Sequence, residues 1–392
     1  MGDLPARDRR LAYELSAGVL RRQAELDRTL DLSRADPRLH DVLRLGAYQL
    51  RCLTRIPAHA AVATSVELAR ETAGEGPARF VNQALRKLTG TGDRGLGTGA
   101  THPEWLVQRW TARFGAADTA RLLAWNDTKP ALTLQPARWD RETLIRRLGD
   151  AGIGAADAPF GAGIRLNTVP GPRAPVPSHL PGFSEGAWIV QDPAHALVCR
   201  FAAIPAGALV YDACAAPGGK AVTLEASGAR VVAADRRDRL ARLAETGRRA
   251  GVAIRCVAAD LEAAPFRPGR LDAVLVDAPC SATGTMARHP DARWRLAPDL
   301  FPRAAARQLR LLAAAAPLLR PGGVLIYATC SLEPEENTAV VEEFVSRYPE
   351  FSRAPDPASV PAELLTAAGD FQSLPQRHGI DGAYAARLAR RA

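Results

Sequence analysis

The chain has 392 residues, 47% of them hydrophobic, and a net charge of +9. Such a length suggests two or three domains, and the apolar content excludes a disordered or fibrous chain. The charge favours a polyanionic partner, nucleic acid before membrane, although only Lys87, Lys129 and Lys220 among the 51 basic residues are lysine, so a general preference for arginine accounts for part of it.

The opening stretch, "MGDLPARDRRLAYEL", lacks the basic-then-apolar pattern of a secretory signal, and no apolar run of about 18 residues predicts a membrane span. Cys52, Cys199, Cys214, Cys256, Cys280 and Cys330 are scattered, with no CxxC and no His pair at zinc spacing. A cytoplasmic protein with free thiols and no metal site is expected.

Residues 5–90 read as helices only. Leu11, Leu15, Val19, Leu26 and Leu30 mark one stripe, and Leu39, Val42, Leu43 and Leu50 a second. A third helix covers 59–73, and Phe80, Val81, Ala84, Leu85 and Leu88 complete an amphipathic fourth. "TGTGDRGLGTGA" (89–100) carries five glycines in twelve residues and reads as a linker. Helices follow near 103–114, with Pro103 in the first turn, and 116–125. Residues 130–200 read as a small α/β module with strands "ALTLQPA" and "GIRLN" around the helix "RETLIRRLGDAG", then an irregular stretch with prolines 170, 172, 175, 177 and 181. From about 205, apolar strands ("ALVYDA", "ARVVAAD", "AIRCVAAD", "LDAVLVDA", "GGVLIYATC") alternate with helices near 219–227, 236–250 and 303–318. That alternation predicts a mostly parallel sheet covered on both faces, with ligands bound at the carboxyl ends of its strands.

Four motifs lie at such ends. In "YDACAAPGGK" (211–220), Gly218 and Gly219 allow close backbone approach at a strand-to-helix turn, either as a ligand loop or as the ordinary turn any α/β chain contains. Asp235 lies 17 residues after Gly218, close to the spacing of a ribose-binding acid. Asp235 and Asp260 equally suit helix caps. "VLVDAPCSATGT" (274–285) turns outward at Asp277 and brings Cys280, and "YATCSLEPEEN" (327–337) brings Cys330. Each cysteine alone is compatible with a small buried hydrophobe. As a pair at polar strand ends they are candidate nucleophiles facing one cleft, if their strands are neighbours. "RHPDARWR" (288–295) mixes arginine with an aromatic residue, as phosphate and base contacts do and as solvated loops also do. Glu333, Glu335 and Glu336 suit the start of the following helix.

Together, "DACAAPGGK", "DAPCSATGT" with "RHPDARW", and "YATCSLEPEEN" resemble the motifs of RNA 5-methylcytosine methyltransferases that use S-adenosyl-L-methionine. "VLRLGAYQL", "IPAHAAVATSVELAR" and "FVNQALRKL" are similar to the NusB-like RNA-binding domain that precedes the catalytic domain in bacterial small-subunit rRNA methyltransferases. The chain departs from the pattern at "LTLQPAR", where Leu-Arg-x-Asn is common, and at "IDGAYAARL", where a more aromatic ending is common. The resemblance implies an α/β class I (Rossmann-like) methyltransferase domain (201–392), preceded by a helical segment and small RRM-like α/β module (101–200) and an all-α NusB-like bundle (1–90). It implies Cys330 as nucleophile, Cys280 in product release, and Asp277 and Lys220 at the target base. Cys214, Ala215, Ala216, Pro217, Gly218, Gly219 and Lys220 would wrap the cofactor, with Asp235 at its ribose, Asp260 near its adenine and Asp277 beside it. The implied partner is RNA, either 16S rRNA modified at cytosine 967 or a small-subunit assembly intermediate; no membrane partner is expected, and since nothing in the sequence demands a dimer, a monomer is expected. A tRNA methyltransferase, a DNA-type cytosine methyltransferase in which Cys280 attacks instead, and a non-catalytic RNA-binding assembly factor are the alternatives.

Overall fold

The computed structural model describes residues 4–30, 32, 35–89, 101–167 and 176–392. The glycine-rich stretch, apart from Thr89, and the prolines at 170, 172 and 175 lie outside the described residues. The chain divides into two compact units, Met1–Thr128 with Met286–Arg295, and Lys129–Thr285 with Leu296–Ala392.

The first unit is helical: α1 (Ala6–Leu30), α2 (His40–Cys52), α3 (Ala58–Ala73), α4 (Glu75–Thr89) and α5 (Glu104–Asn126). Val19, Leu26, Leu39, Val42, Leu43, Val81 and Leu85 meet in its core. Leu11 does not: it is 44% exposed, beside the exposed Tyr13, so the inward stripe of α1 starts later than periodicity suggests. Pro103 stands at the cap of α5 rather than inside its first turn, and Gly115 (φ 78°, ψ 165°) breaks the helix into the two expected segments.

The segment Met286–Arg295 belongs to this unit and corrects one expectation. Arg293 is fully buried. It donates to the carbonyls of Arg21, Thr101 and Asn126 and to Asp127 Oδ1, at 2.9–3.3 Å. Trp294 donates from Nε1 to Leu20 O at 2.6 Å. These two residues staple helices rather than offering a face to phosphates or bases. Their partners lie between 166 and 274 residues away in sequence, which no local pattern reveals.

The second unit holds two sheets. β1 (Thr133–Pro136), β2 (Ala155–Asp157), β3 (Ile164–Leu166) and β4 (Trp188–Val190) form an antiparallel sheet in the order β2-β3-β1-β4, with α6 (Arg141–Asp150) over a small core of Leu134, Leu144, Leu148, Ile164 and Trp188. The larger sheet follows α7 (Pro193–Ala202). Its elements are β5 (Leu209–Asp212), α8 (Gly219–Ala226), β6 (Arg230–Asp235), α9 (Leu240–Ala250), β7 (Arg255–Ala258), β8 (Leu271–Asp277), β9 (Leu319–Thr329), β10 (Phe351–Arg353), β11 (Phe371–Ser373) and β12 (Ala383–Arg390). Between β8 and β9 come the short turn α10 (Ala292–Arg295) of the first unit and α11 (Leu300–Ala315). α12 (Thr338–Arg347) and α13 (Pro375–His378) follow later.

The strand order is β10-β12-β9-β8-β5-β6-β7, with β11 added to β12. The five strands from β9 to β7 are parallel, and the C-terminal strands close the sheet antiparallel. Alternate residues supply the two faces: Val210, Val231, Ala233, Leu275 and Ile326 on one, Tyr211, Val232, Val276 and Tyr327 on the other. Burial on both sides is why these strands read as continuous apolar runs. Chain order reverses direction between β5 and β8, and the carboxyl ends at such a switch point form a cleft. Arg249 of α9 ties the small sheet to the large one, lying over Phe183 at 4.7 Å and donating to Trp188 O at 3.2 Å.

Candidate active site

β8 and β9 are neighbours, with Asp277 opposite Ala328 in the ladder. The residues that leave these strands therefore leave together. Cys280 and Cys330 meet with their sulfurs 3.3 Å apart, both half-buried at the cleft. The Cys280 thiol is pushed well above the ordinary cysteine value, first by its hydrogen bond with Cys330 and then by burial. Either sulfur can be the donor in that contact.

The serines that follow turn inward. Ser281 Oγ and Ser331 Oγ lie 3.1 Å apart, and both donate to Oε2 of Glu336, Ser331 at 2.6 Å. Glu336 Oε1 accepts from Ser281 N (2.9 Å) and Gln308 Nε2 (3.2 Å). Glu336 is fully buried, and Asn337 next to it bridges Thr329 and the Ser331 carbonyl. Glu336 is thus structural, as expected, but as a buried hub and not as a helix-end charge. Gly284 lets the loop after Cys280 cross the chain at Gly382, where an added Cβ would sit 2.4 Å from Gly382 O, and Gly382 N donates to Gly284 O at 2.8 Å.

Lys220, second residue of α8, is buried. Its Nζ donates to Asp277 Oδ2 at 2.6 Å and lies 3.0 Å from His195 Nδ1. Burial pulls the ammonium down, but the adjacent Asp277 outweighs it and the net direction is upward. Lys220 and Asp277 are therefore an ion pair at the ends of neighbouring elements.

The loop 213–218 joins β5 to α8. Gly218 caps α8 with φ at 107°, a left-handed conformation suited to glycine. Burial pushes the Cys214 thiol up to about 12, so it acts as a neutral lining residue. Asp235 ends β6 and accepts from Ala216 N (2.9 Å) and Arg236 N (2.7 Å), which fastens the loop to the strand end. Asp260 lies two residues beyond β7 and caps the turn Leu261–Ala263 by accepting from Glu262 N. Asp212, at the end of β5, is buried with neither carboxylate oxygen partnered among the described residues, and burial followed by the Asp277 charge pushes it up to about 7. An orphaned carboxylate, a helix amino end and a second acid at the next strand end fit a cofactor with a cationic amino acid moiety and vicinal hydroxyls, as S-adenosylmethionine has.

The sequence reading missed Asp212 and His195 as site residues. "QDPAH" does carry a local signal, because Asp followed by proline marks a helix start. Asp192 caps α7 by accepting from Ala194 N at 2.9 Å. Among the described residues no cluster of three metal-ligating side chains occurs, and no helix is long and apolar enough to cross a membrane.

A family model described as 16S rRNA methyltransferase RsmB/F matches residues 203–389, one for the NusB family matches 1–89, and one for the ferredoxin-like domain of RsmF/B-like methyltransferases matches 102–170. The chain is 34% identical to the probable ribosomal RNA small subunit methyltransferase B of Synechocystis, over 97% of this chain and 91% of that protein. It is 35% identical to the ribosomal RNA small subunit methyltransferase B of Pseudomonas putida, over 97% and 90%. The solved structure of PH0851 shares the fold, with 23% identity and a TM-score of 0.82 over 98% of this chain and 91% of that one. So does NSun6 from Pyrococcus horikoshii with SFG, at 18% identity and a TM-score of 0.63 over 74% and 98%.

Proposed function

The chain belongs to the RsmB/F family of S-adenosylmethionine-dependent RNA methyltransferases, and we propose that it methylates carbon 5 of a cytosine in 16S rRNA, cytosine 967 by resemblance, through a covalent adduct on Cys330. The observation that carries this reading is the pair of thiols 3.3 Å apart beside the Asp277–Lys220 ion pair. Residues 1–90 serve as the RNA-binding bundle and 201–392 as the catalytic domain, acting in the cytoplasm.

Carbon 5 of cytosine is a poor nucleophile. Addition of the Cys330 sulfur to carbon 6 turns it into an enamine carbon that can take a methyl group. S-adenosylmethionine supplies, when bound, an electrophilic methyl group on a sulfonium. Residues 214–220 would hold it, and by resemblance Asp235 would take its ribose, Asp260 would lie near its adenine and Asp277 beside it. Asp277, neutralised by Lys220, hydrogen-bonds the cytosine edge as charge develops on the ring. Water then takes the proton from carbon 5, that C–H electron pair restores the 5,6 double bond, and the Cys330–carbon 6 bond breaks with its pair leaving on sulfur as the thiolate. Cys280 supports that departure, because a thiol that keeps its proton and donates to the Cys330 sulfur stabilises the leaving thiolate. The target base must be unstacked to enter, so a loop or opened helix is the substrate.

The test incubates wild type, Cys330→Ala and Cys280→Ala with labelled cofactor and RNA. Cys330→Ala should form no protein–RNA adduct and Cys280→Ala should accumulate one. The reverse pattern would overturn the two roles, and wild type that methylates no RNA would favour a binding factor.

A further inference from the structure

Lys220 has three N–H donors. Asp277 takes one at 2.6 Å and already neutralises the charge. The contact with His195 is therefore not needed for pairing. What a second acceptor at 3.0 Å adds is direction, because an ammonium with two bonds fixed can no longer rotate, and tetrahedral geometry sets its third N–H. His195 is held firmly enough to do this. It is the third residue of α7, whose cap Asp192 also accepts from Asp381 N, ahead of β12. α7 packs on α8, where Cys199 Sγ approaches the Lys220 carbonyl at 3.8 Å.

Resting on the proposed cytosine chemistry, we propose that His195 is a positioning residue for this reaction. Its Nδ1 accepts from the Lys220 ammonium and aims the remaining N–H of Lys220 at the base held by Asp277 and Cys330. Nδ1 can accept only if the ring proton is on Nε2, so the mechanism commits His195 to one neutral tautomer.

The full chain and its His195→Ala, His195→Asn, Lys220→Met and Lys220→Met/His195→Ala variants are compared in methyl transfer to a small-subunit rRNA transcript. His195→Ala should lower kcat about ten- to a hundredfold, with KM for cofactor and RNA within about twofold. Asparagine, whose Oδ1 can stand near the Nδ1 position, should recover most of that loss. In the Lys220→Met background His195→Ala should cost nothing further. An alanine variant at wild-type kcat, asparagine no better than alanine, or an additive loss would each overturn the role. Wild type that transfers no methyl to carbon 5 would instead refute the proposed function. Nitrogen NMR of the histidine rings then decides for His195: an Nε2-protonated ring with a hydrogen-bonded Nδ1 supports the role, and an Nδ1-protonated ring overturns it.

Discussion

Truncating Glu336 to alanine takes one acceptor from both cysteine motifs at once, and the network fixes how much that costs. The two serine hydroxyls lose the carboxylate but still reach each other across 3.1 Å. Gln308 Nε2 keeps its second acceptor, Pro279 O at 3.1 Å. Ser281 N–H is the donor left stranded, in a buried setting, at a cost of about 1–3 kcal/mol. The emptied side-chain volume adds about 1–2 kcal/mol, so Glu336→Ala should destabilise by roughly 2–5 kcal/mol. Glutamine keeps the volume and the acceptor at Oε1, and the serine hydroxyls can turn to accept from its amide, so Glu336→Gln should cost about 1 kcal/mol. Denaturant unfolding of the full chain measures both. Methyl transfer should fall more than about tenfold in the alanine variant while KM for the cofactor stays put, since the network touches the cysteine loops and not 214–220. Because the Glu336 charge is one cause that raises Cys280, after the Cys330 hydrogen bond and burial, glutamine should also bring that thiol down, visible in the pH dependence of its alkylation. Alanine and glutamine variants both within about 0.5 kcal/mol of wild type would refute the hub.

Three further outcomes follow from the same geometry. Gly218→Ala forces a Cβ into a residue at φ 107° and within 2.9 Å of Leu243 Cδ1; cofactor affinity measured by calorimetry should drop about tenfold or more. Arg293→Met leaves Asp127 without its buried partner and should destabilise the helical unit by about 3 kcal/mol, read as faster proteolysis within residues 4–128. Asp212 binds a proton in the folded chain up to about pH 7 that the unfolded chain has already released, so the stability it carries is present below the ordinary carboxylate range and is lost as pH rises through about 7. Asp212→Asn should therefore gain on wild type between pH 4 and pH 8 in thermal unfolding without cofactor, and a flat difference would contradict the burial of that carboxylate.

The parallel strands were legible because burial on both faces leaves uninterrupted apolar runs. The C-terminal strands were not. "AYAARLAR" has the alanine content of a helix, and only its antiparallel pairing with β9 makes it β12. Polar residues divide along the same line. Cys280 and Cys330 announced themselves by chemistry at strand ends, whereas Arg293, Glu336 and His195 owe their roles to partners 166, 55 and 25 residues away.

The repeated Cys-Ser pair shows what local reading can and cannot supply. Two thiols suggest a duplicated nucleophile, but within each pair the cysteine and the serine have different partners. Each strand end therefore sends its sulfur to the cleft and its hydroxyl to Glu336, and the serines hold the separation that the cysteines use. One buried carboxylate thus takes a hydroxyl from each Cys-Ser pair, while the two sulfurs stand 3.3 Å apart.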